Sequence, residues 1–412
     1  MANTPIKCRF CHQELTHTFV DLGETPLANS YLENQQAIAT EKSYPLHARV
    51  CSNCFLVQVE DVVPAEDIFS DYAYFSSFSE SWVKHAKKYA DAMTERFALS
   101  PDNLVMEVAS NDGYLLQHFV TEGIPVLGIE PAANVAKVAV DKGVRTEVAF
   151  FGKETARRLK GQGLAADLIA ANNVLAHVPD INDFVAGFAE ILSEQGVLTI
   201  EFPHLLNLIQ NCQFDTIYHE HYSYLSLLSV EKILGANGLR VFDVEELPTH
   251  GGSLRIFAAL QTATDYQETV GLQAIRAKEN QARMDEIATY SNFTVPVEAV
   301  RAALLAFVAK ARAEGKSIAA YGAAAKGNTL LNFCGLTADD IAYVVDRNPE
   351  KQNKLLPGSH LPIYGPEKIL ETKPDYVLIL PWNLADEIAS EMTAVAEWGG
   401  QFVVPVPMTR VL

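Results

Sequence analysis

The sequence predicts an α/β protein, in which a cysteine-rich N-terminal segment precedes two units of alternating strands and helices. In the first unit, the apolar run Leu104–Ala109 ends in the polar turn Ser110–Gly113, and a helical segment follows. The runs Val126–Glu130, Asp167–Asn172 and Val197–Phe202 repeat this alternation. Buried apolar strands that alternate with helices are typical of a doubly wound parallel sheet.

The second unit repeats the pattern near the C-terminus. The runs Ser317–Tyr321, Ala342–Asp346 and Tyr376–Leu380 read as strands, and the small-residue turn Gly322–Thr329 opens a helix. Between the units, residues 262–314 have helical spacing and are interrupted near Pro296. We therefore expect three parts, at residues 1–72, 73–262 and 263–412.

Composition excludes several classes of protein. The 412 residues are 49% hydrophobic, and 32 basic against 51 acidic residues give a net charge of −19. Partners such as nucleic acid or an anionic membrane require basic patches, so neither is expected. No run approaches the roughly 18 apolar residues of a membrane span, and the N-terminus lacks an apolar signal segment. We expect a cytoplasmic monomer.

Two cysteine pairs predict a structural zinc site. Cys8 and Cys11 form one C-x2-C pair, and Cys51 and Cys54 form the other. Two such turns can complete a tetrahedron of four thiolates around Zn²⁺. Because four thiolates leave no open coordination position, we expect no catalysis at this metal.

The turn after the first strand favours S-adenosylmethionine over a dinucleotide. Of the three glycines of a G-x-G-x-x-G pattern, the turn has only Gly113. A pyrophosphate needs several close contacts with the backbone, and a single glycine does not permit them. Glu107 and Asp112 can face the cationic end of the ligand, and Glu130, at the tip of the second strand, can hold both ribose hydroxyls. The full candidate set for cofactor binding is Glu107, Ser110, Asn111, Asp112, Gly113, Glu130, Asn172 and Asn173.

The segment Asp215–Ser226 holds the densest group of titratable side chains. It contains the run Tyr-His-Glu-His-Tyr at residues 218–222, and these groups can take, give and relay a proton near neutral pH. As an extended strand, this run would place His219 and His221 on one face, so a catalytic metal bound there is an alternative to an acid/base site.

Several motifs together resemble the deoxysugar C-methyltransferases, enzymes that act on nucleotide-linked keto sugars. The resemblance is carried by both cysteine pairs and by the segments Glu107–Leu116, Asn173–Asp180 and Phe214–Tyr224, and it covers essentially the whole chain. It implies a zinc-binding domain, a class I methyltransferase domain and a C-terminal Rossmann-like domain.

The resemblance also implies roles for individual residues. It makes His221 the base and places Tyr218, Glu220 and the loop residue Tyr72 around the sugar. In the reaction that these roles imply, a base removes the acidic C-3 hydrogen beside a C-4 ketone. The resulting carbanion or enolate takes the methyl group of S-adenosylmethionine. Tyr222 or Tyr72 stabilises the enolate oxygen. The substrate would be a 4-keto-deoxysugar linked to a nucleotide, expected to be dTDP.

Further residues are candidates for substrate binding. Lys326 lies in a small-residue turn that opens a helix, which can hold a diphosphate. The glycines of Pro248–Ser253, between two paired strands, allow positive φ or a close approach of ligand. The substrate-binding candidates are His177, His250, Gly251, Gly252, Arg255, Lys326, Asn328 and Asn383.

Two other functions remain open on the residues alone. The C-terminal unit could hold NAD in a nucleotide-sugar oxidoreductase or epimerase, although neither unit has G-x-G-x-x-G. A zinc-ribbon interaction protein is the non-enzymatic alternative, but such a scaffold would not need the cluster from Tyr218 to His221.

Overall fold

The computed structural model describes residues 5–64, 75–78 and 80–412. The predicted α/β class is confirmed, because the described chain forms three sheets with helices packed on them. The predicted site residue Tyr72 lies outside the described residues.

The N-terminal sheet has the order β1-β2-β3-β9 and is built mainly from the cysteine-rich segment. In β2, alternate residues Leu46, Ala48 and Val50 are buried, as the twofold period of a strand requires. Strand β9 comes from far along the chain and follows directly on the Tyr-His-Glu-His run. The strands are β1 (His17–Thr25), β2 (Tyr44–Val50), β3 (Val57–Gln58) and β9 (Ser223–Tyr224).

The central sheet has the order β10-β11-β8-β7-β4-β5-β6. Strands β4 to β8 are parallel to their neighbours, and β11 adds antiparallel to β8 and pairs with β10 in the predicted hairpin. Helices cover both faces, which explains the nearly continuous apolar sequence of the parallel strands. The strands are β4 (Val105–Val108), β5 (Val126–Ile129), β6 (Thr146–Glu147), β7 (Ala166–Asn172), β8 (Leu192–Pro203), β10 (Leu239–Leu247) and β11 (Ser253–Leu260).

The helices of this region follow the alternation that the sequence predicts. Helix α1 buries Ala86, Tyr89, Ala90 and Met93, which lie three or four residues apart and so share one face. The helices are α1 (Glu80–Arg96), α2 (Leu116–Thr121), α3 (Ala133–Asp141), α4 (Lys153–Gly161), α5 (Ile181–Ile191), α6 (Leu205–Gln210) and α7 (Leu227–Ala236). Single 3-10 turns lie at Ser76–Phe78, Leu175–His177, Phe214–Thr216 and Thr249–Gly251.

The C-terminal sheet has the order β14-β13-β12-β15-β16-β17, and only β17 is antiparallel to its neighbour. Its strands are β12 (Ile318–Tyr321), β13 (Val344–Val345), β14 (Ile363–Tyr364), β15 (Tyr376–Ile379), β16 (Gln401–Val404) and β17 (Arg410–Val411). The linking helices are α8 (Val270–Gln281), α9 (Ile287–Ser291) and α10 (Thr294–Ala313). The remaining helices are α11 (Ala325–Cys334), α12 (Glu367–Thr372) and α13 (Ala385–Glu391).

Helix α10 begins two residues before Pro296, so the proline lies in its first turn, where a missing N–H costs little. The stretch Ile287–Ala313 is the one described helical segment that is long and apolar enough to cross a membrane by length and composition. One such helix is weak evidence of a span, because core helices pass the same test. In this fold, Val297, Val300, Leu304 and Val308 are buried along one face of α10.

The three sheets share their cores. One apolar cluster joins Phe19 and Leu46 of the N-terminal sheet to Leu378 of the C-terminal sheet, and another joins Cys51 to Ile200 of the central sheet. The N-terminal sheet therefore packs against both other units, and the segment that leads into β9 lies where all three meet.

Candidate active site

The four cysteines of the two C-x2-C pairs converge. The sulfur atoms of Cys8, Cys11, Cys51 and Cys54 all lie within 4.8 Å of one another, and this is the one metal-type cluster in the described part of the chain. Pairs of sulfurs are 3.4 to 3.7 Å apart. A tetrahedral Zn²⁺ with Zn–S bonds of about 2.3 Å has sulfur–sulfur edges of about 3.8 Å, so the donor set fits that ion.

The cysteine cluster is joined directly to the Tyr-His-Glu-His segment. Gln58, four residues after Cys54, donates to the sulfur of Cys8 over 3.2 Å and pairs with Ser223 in the ladder between β3 and β9. Arg9, between the first two cysteines, donates over 2.9 Å to the carbonyl of Pro179, and its guanidinium lies 5.2 Å from the ring centre of Tyr222. The zinc cluster is therefore built against the two segments that carry His177 and His221.

The turn after β4 has the tight geometry expected at a ligand edge. Ala109, Asn111 and Gly113 all have positive φ, at 58°, 49° and 76°. A Cβ on Gly113 would lie 3.0 Å from Cγ2 of Val144, so the turn lies close against the following strand connection. The carboxyl ends of β4 and β7 are neighbours in the sheet, which brings this turn beside Asn172 and Asn173.

Glu130 lies at the tip of β5 and organises the turn. Its two carboxylate oxygens accept the backbone N–H groups of Asn111 and Ala132, each over 2.9 Å. Burial raises the pKa of Glu130, and the two backbone hydrogen bonds oppose that rise. Each oxygen keeps a second lone pair, which two vicinal hydroxyls of a ribose can use.

A group of buried polar atoms without described partners surrounds this turn. The group consists of Oε2 of Glu107, Oγ of Ser110, Oδ1 of Asp112, Oδ1 of Asn172 and both amide atoms of Asn173. Buried polar atoms normally have hydrogen-bond partners, so their convergence at one sheet edge indicates a polar ligand. The other oxygen of Asp112 receives Lys142 over 3.0 Å. The acceptors suit the ammonium and sulfonium groups of S-adenosylmethionine, and the residues present fit that cofactor.

The segment from Tyr218 to Tyr222 is a turn and not the extended strand that a shared face for His219 and His221 would require. The backbone N–H of His221 donates to the carbonyl of Tyr218 over 3.0 Å, which closes the turn. As a result, His219 and His221 diverge. Nε2 of His219 contacts the carbonyl of Pro45 over 3.2 Å, so the two imidazoles do not form a metal site.

His221 lies in a cluster of aromatic rings. Its Nδ1 is 2.9 Å from the carbonyl of Thr216, which can only accept, so Nδ1 carries the proton and Nε2 is the acceptor. The hydroxyl of Tyr218 donates to that Nε2 over 2.8 Å. The rings of His177 and Tyr224 lie edge-on to the imidazole, at 4.6 and 6.2 Å between centres.

This surrounding favours a neutral imidazole. Burial, followed by the nearby imidazole of His177, holds the pKa of His221 well below its usual value. Burial also lowers the pKa of His177 to about 4, and its Nδ1 lies 2.7 Å from the carbonyl of Glu220. His221 is thus an unprotonated acceptor across the neutral range, as a general base must be.

The side chains of Glu220 and Tyr222 point in different directions from the turn. The carboxylate of Glu220 accepts the side-chain amide of Asn29 at both oxygens, and burial raises its pKa to about 6. Tyr222 is fully buried, and its hydroxyl contacts the carbonyl of Val63 at 3.5 Å. The expectation that Tyr222 stabilises an enolate oxygen is not supported, because its ring faces the N-terminal domain.

The C-terminal unit contributes a charged group beside the same segment. The ammonium of Lys326, in the first turn of α11, donates to Oδ1 of Asn383 over 2.7 Å and lies 4.6 Å from the ring centre of Trp382. The indole of Trp382 donates to Asp215 over 2.7 Å. Burial lowers the pKa of Lys326 and raises that of Asp215 to about 6, and each charge opposes the shift of the other.

Two residues that were candidates for substrate binding, Arg255 and Asn328, form hydrogen bonds within the protein instead. The guanidinium of Arg255 donates from Nε to Glu201 over 2.8 Å and from Nη1 to Glu245 over 2.9 Å, so it belongs to an ion-pair network in the sheet. The amide of Asn328 donates to the carbonyl of Ala28 over 2.6 Å and joins α11 to the N-terminal domain. Neither residue is placed as a ligand for phosphate.

Gly251 and Gly252 have the predicted positive φ, but protein side chains and not a ligand lie close to them. Gly251 and Gly252 have φ of 88° and 112°, as expected. The close approach at these positions comes from protein side chains, since a Cβ would lie 2.7 Å from Gln213 at Gly251 and 2.3 Å from Asn207 at Gly252. His250, just before them, is 5.5 Å from Trp82 between ring centres, and burial lowers its pKa to about 4.

Sequence reasoning missed three residues of this region. Asn29 and Trp382 reach the site from the two flanking units, and Asp215 lies beneath Lys326. Asp215 was visible at the start of the polar segment, but its burial was not. Asn29 lies in no motif, so only the three-dimensional contact reveals it.

The sheet order, the polar turn after β4 and the acid at the tip of β5 define a class I S-adenosylmethionine-dependent methyltransferase. Family models cover the three parts in turn. They are described as "Putative zinc binding domain" for residues 8–69, "Methyltransferase domain" for residues 82–244 and "C-methyltransferase C-terminal domain" for residues 248–407.

Known proteins narrow the class further. The chain is 38% identical over 406 residues to C-methyltransferase NovU of Streptomyces niveus, covering 98% of this chain and 96% of that protein. It is 24% identical over 153 residues to a ubiquinone biosynthesis O-methyltransferase of Bartonella bacilliformis, covering 34% and 60%. Magnesium protoporphyrin IX methyltransferase of Synechocystis, solved with S-adenosylmethionine, aligns with TM-score 0.36 and 14% identity over 49% of this chain and 100% of that one. The chain belongs to the deoxysugar C-methyltransferase family.

Proposed function

We propose that this enzyme methylates C-3 of a 4-keto-deoxysugar carried on a nucleotide, with dTDP as the carrier. The observation that supports this most strongly is the environment of His221. Its Nε2 is unprotonated and lies in a cluster of tyrosine and histidine side chains at the meeting point of the three units. A neutral buried base suits the removal of a carbon-bound proton beside a ketone.

In the proposed reaction, Nε2 of His221 takes the C-3 proton and the electron pair of the C–H bond moves into the C-4 carbonyl. The hydrogen bond from Nδ1 to the carbonyl of Thr216 fixes the tautomer and stabilises the imidazolium that forms. S-adenosylmethionine, held by Glu130 and the turn after β4, would supply an electrophilic methyl group to C-3. The sulfur–methyl bond would break as the C-3–methyl bond forms, which would leave a neutral thioether and restore the C-4 carbonyl.

Tyr218, which is hydrogen-bonded to His221, also has a role in this proposal. The hydroxyl of Tyr218 occupies the lone pair of Nε2 in the free enzyme. Substrate must displace it before proton transfer, and the displaced hydroxyl can then donate to the sugar. Tyr72 remains a proposed donor to the enolate oxygen, as the family resemblance implies, and Glu220 is proposed as an acceptor for a sugar hydroxyl.

The nucleotide diphosphate is proposed to bind at the start of α11. Lys326 and Asn383 lie there together, and the first N–H groups of a helix attract anions. The ammonium of Lys326 rests on an indole and a side-chain amide in place of a full ion pair, which leaves it able to meet a phosphate. His177 and His250 are proposed to line the sugar pocket between this helix and His221.

We also propose the division of the chain into residues 1–72, 73–262 and 263–412, and a cytoplasmic monomer as the working form. The net charge of −19 supports a protein that associates with neither nucleic acid nor anionic lipid.

Mass spectrometry tests the proposal directly. The enzyme is incubated with S-adenosylmethionine and dTDP-linked 4-keto-deoxysugars, and the expected product is heavier by one methylene unit. Incubation in D₂O without the cofactor should exchange the C-3 hydrogen. A methylated product that retains its C-3 hydrogen and carries the methyl group elsewhere would overturn the assignment of the carbon.

A further inference from the structure

The carboxylate of Glu220 is buried and has one polar side-chain partner among the described residues. Nδ2 of Asn29 lies 2.8 Å from each of its two oxygens. Glu220 is 5% exposed and forms no ion pair within residues 5–64, 75–78 and 80–412. An amide hydrogen bond stabilises the ionised carboxylate, which burial alone would disfavour.

The loop that carries Asn29 is anchored on the C-terminal unit at both of its ends. The carbonyl of Ala28 accepts the side-chain amide of Asn328 over 2.6 Å, and the hydroxyl of Tyr31 donates to the carbonyl of Ala323 over 2.7 Å. Asn29 itself is exposed, and its side-chain amide contacts the buried Glu220 from the surface. Two fixed neighbours therefore hold its amide in place.

Among the residues that the structure describes, no cationic side chain forms an ion pair with Glu220. The titratable groups described near it are Tyr31, whose phenol interacts with the charge of Glu220, the sequence neighbours His219 and His221, and His177, which contacts the backbone carbonyl of Glu220. Burial lowers the pKa of all three imidazoles, so they are neutral near pH 7, and burial raises the pKa of the Tyr31 phenol. The hydrogen bond from Asn29 is therefore the principal described interaction that favours the ionised carboxylate.

On the basis of the proposed function, we propose that Asn29 is a positioning residue whose amide keeps Glu220 ionised and in one orientation beside His221 during the reaction. An ionised Glu220 accepts a hydrogen bond from a sugar hydroxyl. A protonated Glu220 must donate from one oxygen and presents a different pattern to the sugar. A residue of the zinc-binding domain thereby sets the state of an acid in the methyltransferase site.

The first test measures the titration of Glu220 without substrate. Carboxyl carbons are labelled with ¹³C in glutamate, and the Glu220 signal is assigned by its loss in Glu220→Gln. In Asn29→Leu, which is similar in size and has no donor, the Glu220 midpoint should rise by about one unit or more. Ser30→Ala is the matched control, because it changes the neighbouring exposed side chain of the same loop but not the contact with Glu220. An unchanged midpoint in Asn29→Leu would overturn the proposal.

The second test follows methyl transfer against pH. The acidic limb of kcat/KM should move upward in Asn29→Leu by the same amount as the titration, and Ser30→Ala should keep the parent profile. For a rise of one unit, the variant should lose about threefold in kcat/KM at pH 6.5 and recover most of it at pH 8. Asn29→Asp, which preserves size, should shift the limb further, because two carboxylates then share the contact.

The outcomes separate this inference from the function on which it rests. A shifted titration with a parent-like pH profile would overturn the role of Asn29 in the reaction. If the parent enzyme itself methylates no keto sugar while the Glu220 midpoint still rises in Asn29→Leu, the proposed function fails and the contact between the two residues stands.

Discussion

The hydroxyl of Tyr218 lies 2.8 Å from Nε2 of His221, the atom that must accept a proton in the proposed reaction. The other ring nitrogen donates to the carbonyl of Thr216. The imidazole is thus held in one tautomer by the backbone, and its reactive lone pair is covered by a phenol that substrate can replace.

His221→Asn should lower kcat by about 10²–10⁴, the usual range for loss of a general base. The affinity for S-adenosylmethionine should stay at the parent value, because the base contacts the sugar. Isotope exchange at C-3 in D₂O should fail in parallel. His219→Asn is the matched control and should keep methylating, since its imidazole points to Pro45. The reverse pattern would show that His219 is the base.

Cys51→Ser should lower the zinc content and the melting temperature of the protein. Three thiolates and a hydroxyl hold Zn²⁺ less tightly, and the cysteine cluster belongs to the apolar core that joins the N-terminal domain to the central sheet. Elemental analysis and thermal unfolding measure both effects. Cys212→Ser, at an isolated buried thiol, should retain the parent zinc content. Parent protein purified without chelator but free of zinc would contradict the assignment.

Glu130→Ala should weaken binding of S-adenosylmethionine by roughly 1–3 kcal/mol, through loss of two charge-assisted contacts to ribose. Isothermal titration calorimetry gives the affinity. Glu147→Ala, at the tip of the neighbouring strand β6, serves as control and should bind as the parent does. Parent-like affinity in Glu130→Ala would place the ribose elsewhere.

Lys326→Ala should raise the KM for the sugar nucleotide by about tenfold or more, with a smaller effect on kcat, because the lost charge would contact phosphate away from C-3. Steady-state kinetics with saturating cofactor measure the change. Lys316→Ala removes an exposed lysine of the same unit, paired with Asp375, and should leave KM unchanged. An unchanged KM in Lys326→Ala would remove the diphosphate from this turn.

Asp215→Asn should make the protein more stable than the parent at neutral pH. Burial raises the folded pKa of Asp215 to about 6 from an ordinary 3.8, so the stability that the protonated acid contributes is full below pH 3.8 and is lost as pH rises through 6. The amide keeps an acceptor for Trp382 and does not ionise. Denaturant unfolding at a series of pH values should show a gain for the variant that grows between pH 4 and 6, to about 3 kcal/mol at most. A constant difference would contradict the shifted pKa.

The sequence predicts correctly those structural features that depend on residues close together along the chain. The cysteine spacing predicted a cluster that the structure forms, and the alternation of apolar runs predicted the parallel strands and the hairpin of β10 and β11. The double glycine at 251–252 predicted positive φ. Each of these features follows from local sterics or from a fixed spacing along the chain.

Features that depend on distant pairing were not readable. The sequence alone does not distinguish a strand from a turn at Tyr218 to Tyr222, because nothing local shows that β9 begins only at Ser223 and pairs with β3. Arg255 is a substrate-binding candidate in the sequence, but in the structure it pairs with Glu201 and Glu245. These partners lie on two neighbouring strands, and the local sequence does not show that the strands pair. The contact between Asn29 and Glu220 joins positions 191 residues apart.

The pairing of β3 with β9 has a consequence for how such enzymes can be recombined. The strand that follows the turn with the proposed base is the edge of a sheet whose other strands come from the first sixty residues. A methyltransferase domain cut free of its N-terminal partner would lose the template that holds His221 in register. Chimeras that exchange the N-terminal domain between relatives should therefore work only when residues 57–58 and 223–224 are inherited together, because the position of the proposed base then depends on two domains rather than one.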